Sequence, residues 1–116
     1  MGDRKMAIVE MTKRVAARLG YEYAETIADG QNGDTIKVLP LGPENCVATC
    51  RVIAGAGSGK LQFSTSPDAD VLDGTAIWSD WAKGAVTGTD WDVLRGQVTA
   101  LRGVSVSGEI KIEILI

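Results

Sequence analysis

The chain has 116 residues, 45% of them hydrophobic, with a formal net charge of −3 and no histidine. That is enough for one domain with one core. The missing basic run argues against a phosphate-gripping surface as the main activity, no apolar run is long enough to span a bilayer, and two cysteines are too few for a disulfide-framed miniprotein.

The opening stretch MGDRKMAIVEMTKR lacks the long apolar core and small-residue cleavage site of a signal peptide. Across residues 3–19, Ile8, Met11, Val15 and Leu19 fall near one helical face. Asp3 is placed to cap such a helix and Gly20 to stop it. An extended arm competes, because Val15, Ala17 and Leu19 also alternate with Arg14, Ala16 and Arg18. The expectation leans to a helix or partly helical arm over residues 1–20. Its apolar side needs a surface, either the domain's own or a neighbour's.

Residues 21–116 read as strands and turns. Tyr21 to Ile27 is rich in aromatic and β-branched residues. Asp29 to Asp34 is a turn, and Thr35 to Leu39 is a short strand closed by Pro40 and Pro43. Asn45 to Ala54 predicts a longer strand, with Lys60 to Thr65 as its hairpin partner across GAGSG. SPDADVLDG reads as a loop with a short strand. TAIW, SDWAKG and AVTGTDWDVL follow. At the end, Ile110, Ile112, Ile114 and Ile116 alternate with Glu109, Lys111 and Glu113. A period of two sends successive side chains to opposite faces, so this is a half-buried strand. With Gln97 to Arg102 upstream and turn residues Ser105 to Gly108 between, it predicts an antiparallel hairpin. The fold class is mainly β: a single antiparallel β-sandwich of roughly seven to nine strands, jelly-roll-like or a compact barrel, with an N-terminal arm or short helix.

No motif carries catalytic chemistry. Ala54 to Lys60, AGAGSGK, has the glycines of a phosphate loop, but Leu61 stands where that loop needs Ser or Thr, and a strand follows. Cys46 and Cys50 would lie roughly 13 Å apart on a strand, beyond disulfide reach, and on one face with Ala48 and Val52. Without histidine or a second cysteine pair, a zinc site lacks ligands. Asp68, Asp70, Asp73, Asp80, Asp90 and Asp92 lie close in sequence. They lack the glutamate-terminated calcium-loop pattern, and turn aspartates are commoner than paired catalytic ones. The expectation is therefore a non-enzyme without cofactor or metal. Trp78, Trp81 and Trp91 are the largest apolar groups, either packed in the core or anchoring a contact; a carbohydrate platform would need two of them side by side.

The stretch Ser66 to Ile116 resembles the C-terminal part of small virion proteins of tailed bacteriophages. The likeness rests on the order of Ser66-Pro67, Gly74-Thr75-Ala76-Ile77-Trp78, Asp80-Trp81, Lys83-Gly84-Ala85-Val86, Asp92-Val93-Leu94, Val98-Thr99-Ala100-Leu101-Arg102 and Ser107-Gly108. It implies a β-sandwich that assembles as a homotrimer on the phage head, made in the host cytoplasm. The implied roles are capsid decoration, or cement, bound to the major capsid protein, and the head-proximal part of a fibre. A receptor- or glycan-binding module of a fibre or tail is the alternative. Neither nucleic acid nor membrane is an expected partner. The expected interface residues are Ile8, Met11, Val15 and Leu19 in the N-terminal segment, with Trp78 and Trp81 as contact anchors.

Overall fold

The computed structural model describes residues 7–14, 20–38 and 46–116, without the side chain of Cys46. Nine strands and one helix follow in order: β1 Ile8–Glu10, β2 Thr12–Lys13, β3 Tyr21–Ile27, β4 Thr35–Lys37, β5 Cys46–Ser64, α1 Asp68–Asp73, β6 Trp78–Asp80, β7 Val86–Gly96, β8 Ala100–Ser107 and β9 Ile110–Leu115. All nine strands belong to one sheet bent into a barrel-like sandwich, and every pairing is antiparallel except β1 with β4. The mainly β architecture expected from the turn spacing is what forms.

The organising element is β5. One of its edges is followed by β6 and then β7, from Ser64 opposite Trp78 to Cys46 opposite Gly96. The other edge is followed by β8 and then β9, from Ser64 opposite Ala100 to Thr49 opposite Leu115. Farther out, β3 lies along β9 and β4 along β8.

Two expected hairpins are therefore absent. Asn45–Ala54 and Lys60–Thr65 are not partners; they fall on the same strand, β5. Nor does β9 turn back on β8: both run antiparallel to β5 in the same direction, with the Ser107-Gly108 break between them. The glycines responsible are bends rather than reversals. Gly55 takes φ +56, and the pairing with β7 shifts register between Ile53 and Gly55 and again before Gly59. Gly88 (φ +65) and Gly108 (φ +75) match it on the flanking strands. Left-handed backbone at these points carries little cost for glycine and lets long strands turn a corner between layers.

Folding at this corner yields two layers. One holds β2, β3, β9, the first half of β5, and β7. The other holds β1, β4, β8, the second half of β5, and β6. Between them lie Ala48, Cys50, Val52, Ile110, Ile112 and Ile114 from the first layer, with Ile36, Leu61 and Leu101 from the second, all at most 1% exposed. The layers touch closely: a methyl group placed on Gly103 of β8 would lie 2.5 Å from Ile27 Cδ1 and 2.8 Å from Ile112 Cγ2. The terminal alternation thus buries its isoleucines as expected, each contributing roughly 1.5–3 kcal/mol before ordering entropy. Ile116 is half-buried against the same core. Cys50 is fully buried on the Ala48–Val52 face.

In the N-terminal segment, the helical expectation fails for residues 7–14, which form β1 and β2. β1 pairs with β4 in one layer and β2 with β3 in the other, and Met11 between them is buried in the core. Completing two unpaired edges and burying Met11 gains more than one isolated amphipathic turn provides. The arm thus closes the end of the sandwich farthest from the corner. Val15 and Leu19 lie outside the described residues.

The predicted short strand within SPDADVLDG is instead α1. Asp68 and Asp70 sit in its first turn, where they favour the positive end of the helix dipole, and Gly74 ends it in a left-handed C-cap at φ +78. Its one buried residue is Val71.

Candidate docking face and free edge

Strand parity assigns the outer face of the first layer. Ala48, Cys50 and Val52 point inward, so Val47, Thr49, Arg51 and Ile53 point outward. Their cross-strand neighbours complete the face. Leu115 and Val93 flank Thr49, Glu113 and Trp91 flank Arg51, Lys111 and Thr89 flank Ile53, and Arg95 lies opposite Val47. Three of these apolar side chains remain largely in water: Trp91 at 55% exposure, Val47 at 45% and Leu115 at 41%. Arg51 reaches Glu113 at 3.4 Å, and Lys111 reaches it at 3.7 Å. Toward β2 the face deepens into a shallow groove of about 560 Å³ lined by Glu10, Glu22, Arg51 and Glu113. An apolar patch on a rigid sheet with charge around it suits contact with another surface.

The β7 margin of this layer is open: β7 pairs only with β5 among the described residues. Its core-facing positions opposite Val52 and Cys50 are Asp90 and Asp92. Each carboxylate accepts a hydrogen bond from the next backbone N–H, Trp91 N to Asp90 Oδ1 and Val93 N to Asp92 Oδ1, both at 2.8 Å. Lys83 Nζ also lies 3.2 Å from Asp90 Oδ1. The backbone bond from Trp91, and then Lys83, hold the Asp90 carboxyl below its usual range.

The second layer carries a polar ladder on its outer side. Asp80 Oδ1 accepts from Gln62 Nε2 at 2.9 Å, and Asp80 Oδ2 from Lys60 Nζ at 3.1 Å. Those two bonds, Gln62 first, lower the Asp80 pKa. Arg102 Nε donates to Gln62 Oε1 at 2.7 Å, while its guanidinium lies 4.3 Å from the Trp78 ring centroid. Burial lowers the Arg102 pKa from its very high ordinary value.

The six expected interface residues scatter. Ile8 is 42% exposed on the arm, Met11 is in the core, and Val15 and Leu19 fall outside the described residues. Trp78 is half-buried beside Arg102. Trp81 is only 2% exposed and donates its indole N–H to the Gly84 carbonyl at 2.6 Å, so in this chain it packs in the core. The exposed indole is that of Trp91, which the sequence weighs with the other two as core or contact anchor but which is not among the expected interface residues. The alternation in NCVATCRVIA already separated Val47, Arg51 and Ile53 from the cysteine face; the pairing with β7 was needed to bring Trp91 beside them.

Among the described residues, no three Asp, Glu or Cys groups converge to hold a metal ion. The six aspartates have separate settings: Asp68, Asp70 and Asp73 on α1, Asp80 in the ladder, and Asp90 and Asp92 on the free edge. AGAGSGK does not cradle an anion ahead of a helix; it is the bend in β5. No helix among the described residues is long and apolar enough to cross a membrane. No family model, curated protein or solved structure matches the chain.

Proposed function

We propose that the chain is a structural protein that works by surface contact, as a decoration protein on the capsid of a tailed phage. The sequence resemblance over Ser66 to Ile116 supports the class. The observation that carries the contact role is the outer face of the first layer, where Trp91, Val47 and Leu115 stand exposed on a sheet held from below by a buried, isoleucine-rich core. A cement protein needs no catalytic group and no cofactor. It needs a stiff scaffold and a face that buries area on the shell, so that subunits are held together against internal pressure. In this reading it acts as a homotrimer on the head surface, with the major capsid protein as partner. The rings do not favour the glycan-binding alternative, since Trp78 pairs near the end of β5 and Trp91 near its start, in different layers.

The test is co-sedimentation of the purified protein with capsid shells assembled from a tailed-phage major capsid protein, followed by thermal disruption of the shells. The protein should bind and raise the disruption temperature, and Trp91→Asp should abolish both while keeping the far-ultraviolet spectrum. Wild-type protein that stays in the supernatant removes the capsid reading.

A further inference from the structure

The proposal arises from β7, an eleven-residue strand with one side unpaired among the described residues. Such an edge presents a row of free N–H and C=O groups and is a template for strand addition by another chain. An antiparallel strand aims alternate residues' backbone groups away from its partner. Trp91 and Val93 share one parity, and their N–H groups are bonded to the Asp90 and Asp92 carboxylates.

We propose that Asp90 and Asp92 are a pair of gatekeepers that close the β7 edge to a second copy of this chain. Three features on the same two residues carry this. First, the carboxylates occupy edge donors that an incoming strand would need. Second, they stand on the core-facing side of an edge strand, opposite Val52 and Cys50, where an added strand would cover them and strip their water. Third, the local sequence opposes self-pairing. If two copies of β7 met antiparallel about Trp91, each Asp90 would face the other copy's Asp92, and like charges directly opposite are destabilising. Without those charges the same register would set Trp91 against Trp91, a favourable aromatic pair. Among the described residues, the charged group bound to this pair is Lys83, which reaches Asp90 and is supplied once per chain. On the other side of the sheet, Arg51 and Arg95 face away from both carboxylates.

The protein therefore has a contact face that is available and a contact edge that is shut. This inference does not depend on the capsid reading: it concerns the isolated chain, and its test needs no partner.

Asp90→Thr/Asp92→Thr removes both charges and both carboxylates while keeping strand-compatible side chains. Light scattering across a concentration series should show a mass twice that of the wild type, with new hydrogen-exchange protection at the Trp91 and Val93 amides. A folded variant that keeps the wild-type mass overturns the proposal, as does association without that protection. If the threonine variant fails to fold, Asp90→Val/Asp92→Val decides instead: it lacks both charge and acceptor at the two positions. It should show the doubled mass with protection at the same two amides, and a folded valine variant that keeps the wild-type mass overturns the gate.

Discussion

Gly57→Ala tests the corner of β5 directly. Gly57 lies in AGAGSG, where the strand passes from one layer to the other. A methyl group there would overlap the Ser107 carbonyl oxygen, and would also lie 3.2 Å from the Ser107 carbonyl carbon and 3.3 Å from the Ala54 carbonyl oxygen. All three are backbone atoms, so no side-chain rotation relieves the contact. Either β5 or the β8–β9 track must shift. Overpacking of this kind costs about 3 kcal/mol, toward the upper end of the usual range. Gly55→Ala is the internal comparison. At φ +56 it meets nothing within 4 Å, so its cost is the left-handed backbone alone, about 1–2 kcal/mol. With a urea m-value of about 1.5 kcal/mol/M, these become midpoint shifts of roughly 2 M and 1 M. Urea unfolding followed by circular dichroism measures both. A Gly57→Ala midpoint within about 0.5 M of wild type, or a smaller loss than for Gly55→Ala, would refute the account of the corner as a close backbone crossing.

Further expectations follow from the same structure. Met11→Ala should cost roughly 2–4 kcal/mol in urea unfolding, because Met11 is buried where the arm bridges the layers; a surface-like change below about 0.5 kcal/mol would mean the arm is not part of the folded unit. Trp81→Phe should lose about 1–2 kcal/mol, since it removes the bond to Gly84 and leaves that carbonyl without its indole donor, whereas Trp91→Phe should leave stability nearly unchanged. For Asp80, the folded-state pKa is depressed by Gln62 and Lys60, so its stabilisation is complete above the unfolded value and is lost as pH falls through the folded one. Asp80→Asn should therefore lower the urea midpoint more at neutral pH than at acid pH; an equal loss at both would show that the ladder does not depend on the carboxylate charge.

The alternation of isoleucine with charge from Glu109 to Ile116 made one buried strand face readable, because side-chain direction on a pleat depends only on parity. In the same way NCVATCRVIA disclosed that Ala48, Cys50 and Val52 share a face. The turn at Asp29–Asp34 was legible from residues that tolerate left-handed backbone, and Gly30 takes φ +70 there. The missing hairpins show where local reading stops. Glycine marks a departure from regular strand geometry, but whether the chain reverses or only bends depends on which strands pair beside it. At Gly55 and Gly108 the neighbouring tracks continue past the break, and the bend wins.

The candidate contact surface was less legible than the fold. Trp81 and Trp91 have similar local surroundings of aspartates and small residues, yet one is core and the other is half in water. Their difference comes from position on the sheet. Trp81 lies where the chain passes from β6 to β7, with its N–H met by Gly84, while Trp91 occupies the outward parity of an edge strand. Likewise, Asp90 and Asp92 read as solvated turn residues until β7 is seen to pair, among the described residues, with β5 on one side only.

The sequence by itself determined a small, mainly β domain, the buried faces of its strands, and the absence of any recognised catalytic motif. Composition and period-two patterning act residue by residue, and they need no partner to be read. Only the tertiary structure decided that β5 spans both layers, that the arm closes the far end through Met11, and that Trp91 stands on an open face of a strand paired on one side among the described residues. Those outcomes depend on pairing between segments far apart in the chain, where the gain comes from satisfying backbone groups and excluding water together, and no single stretch encodes which distant strand will do so.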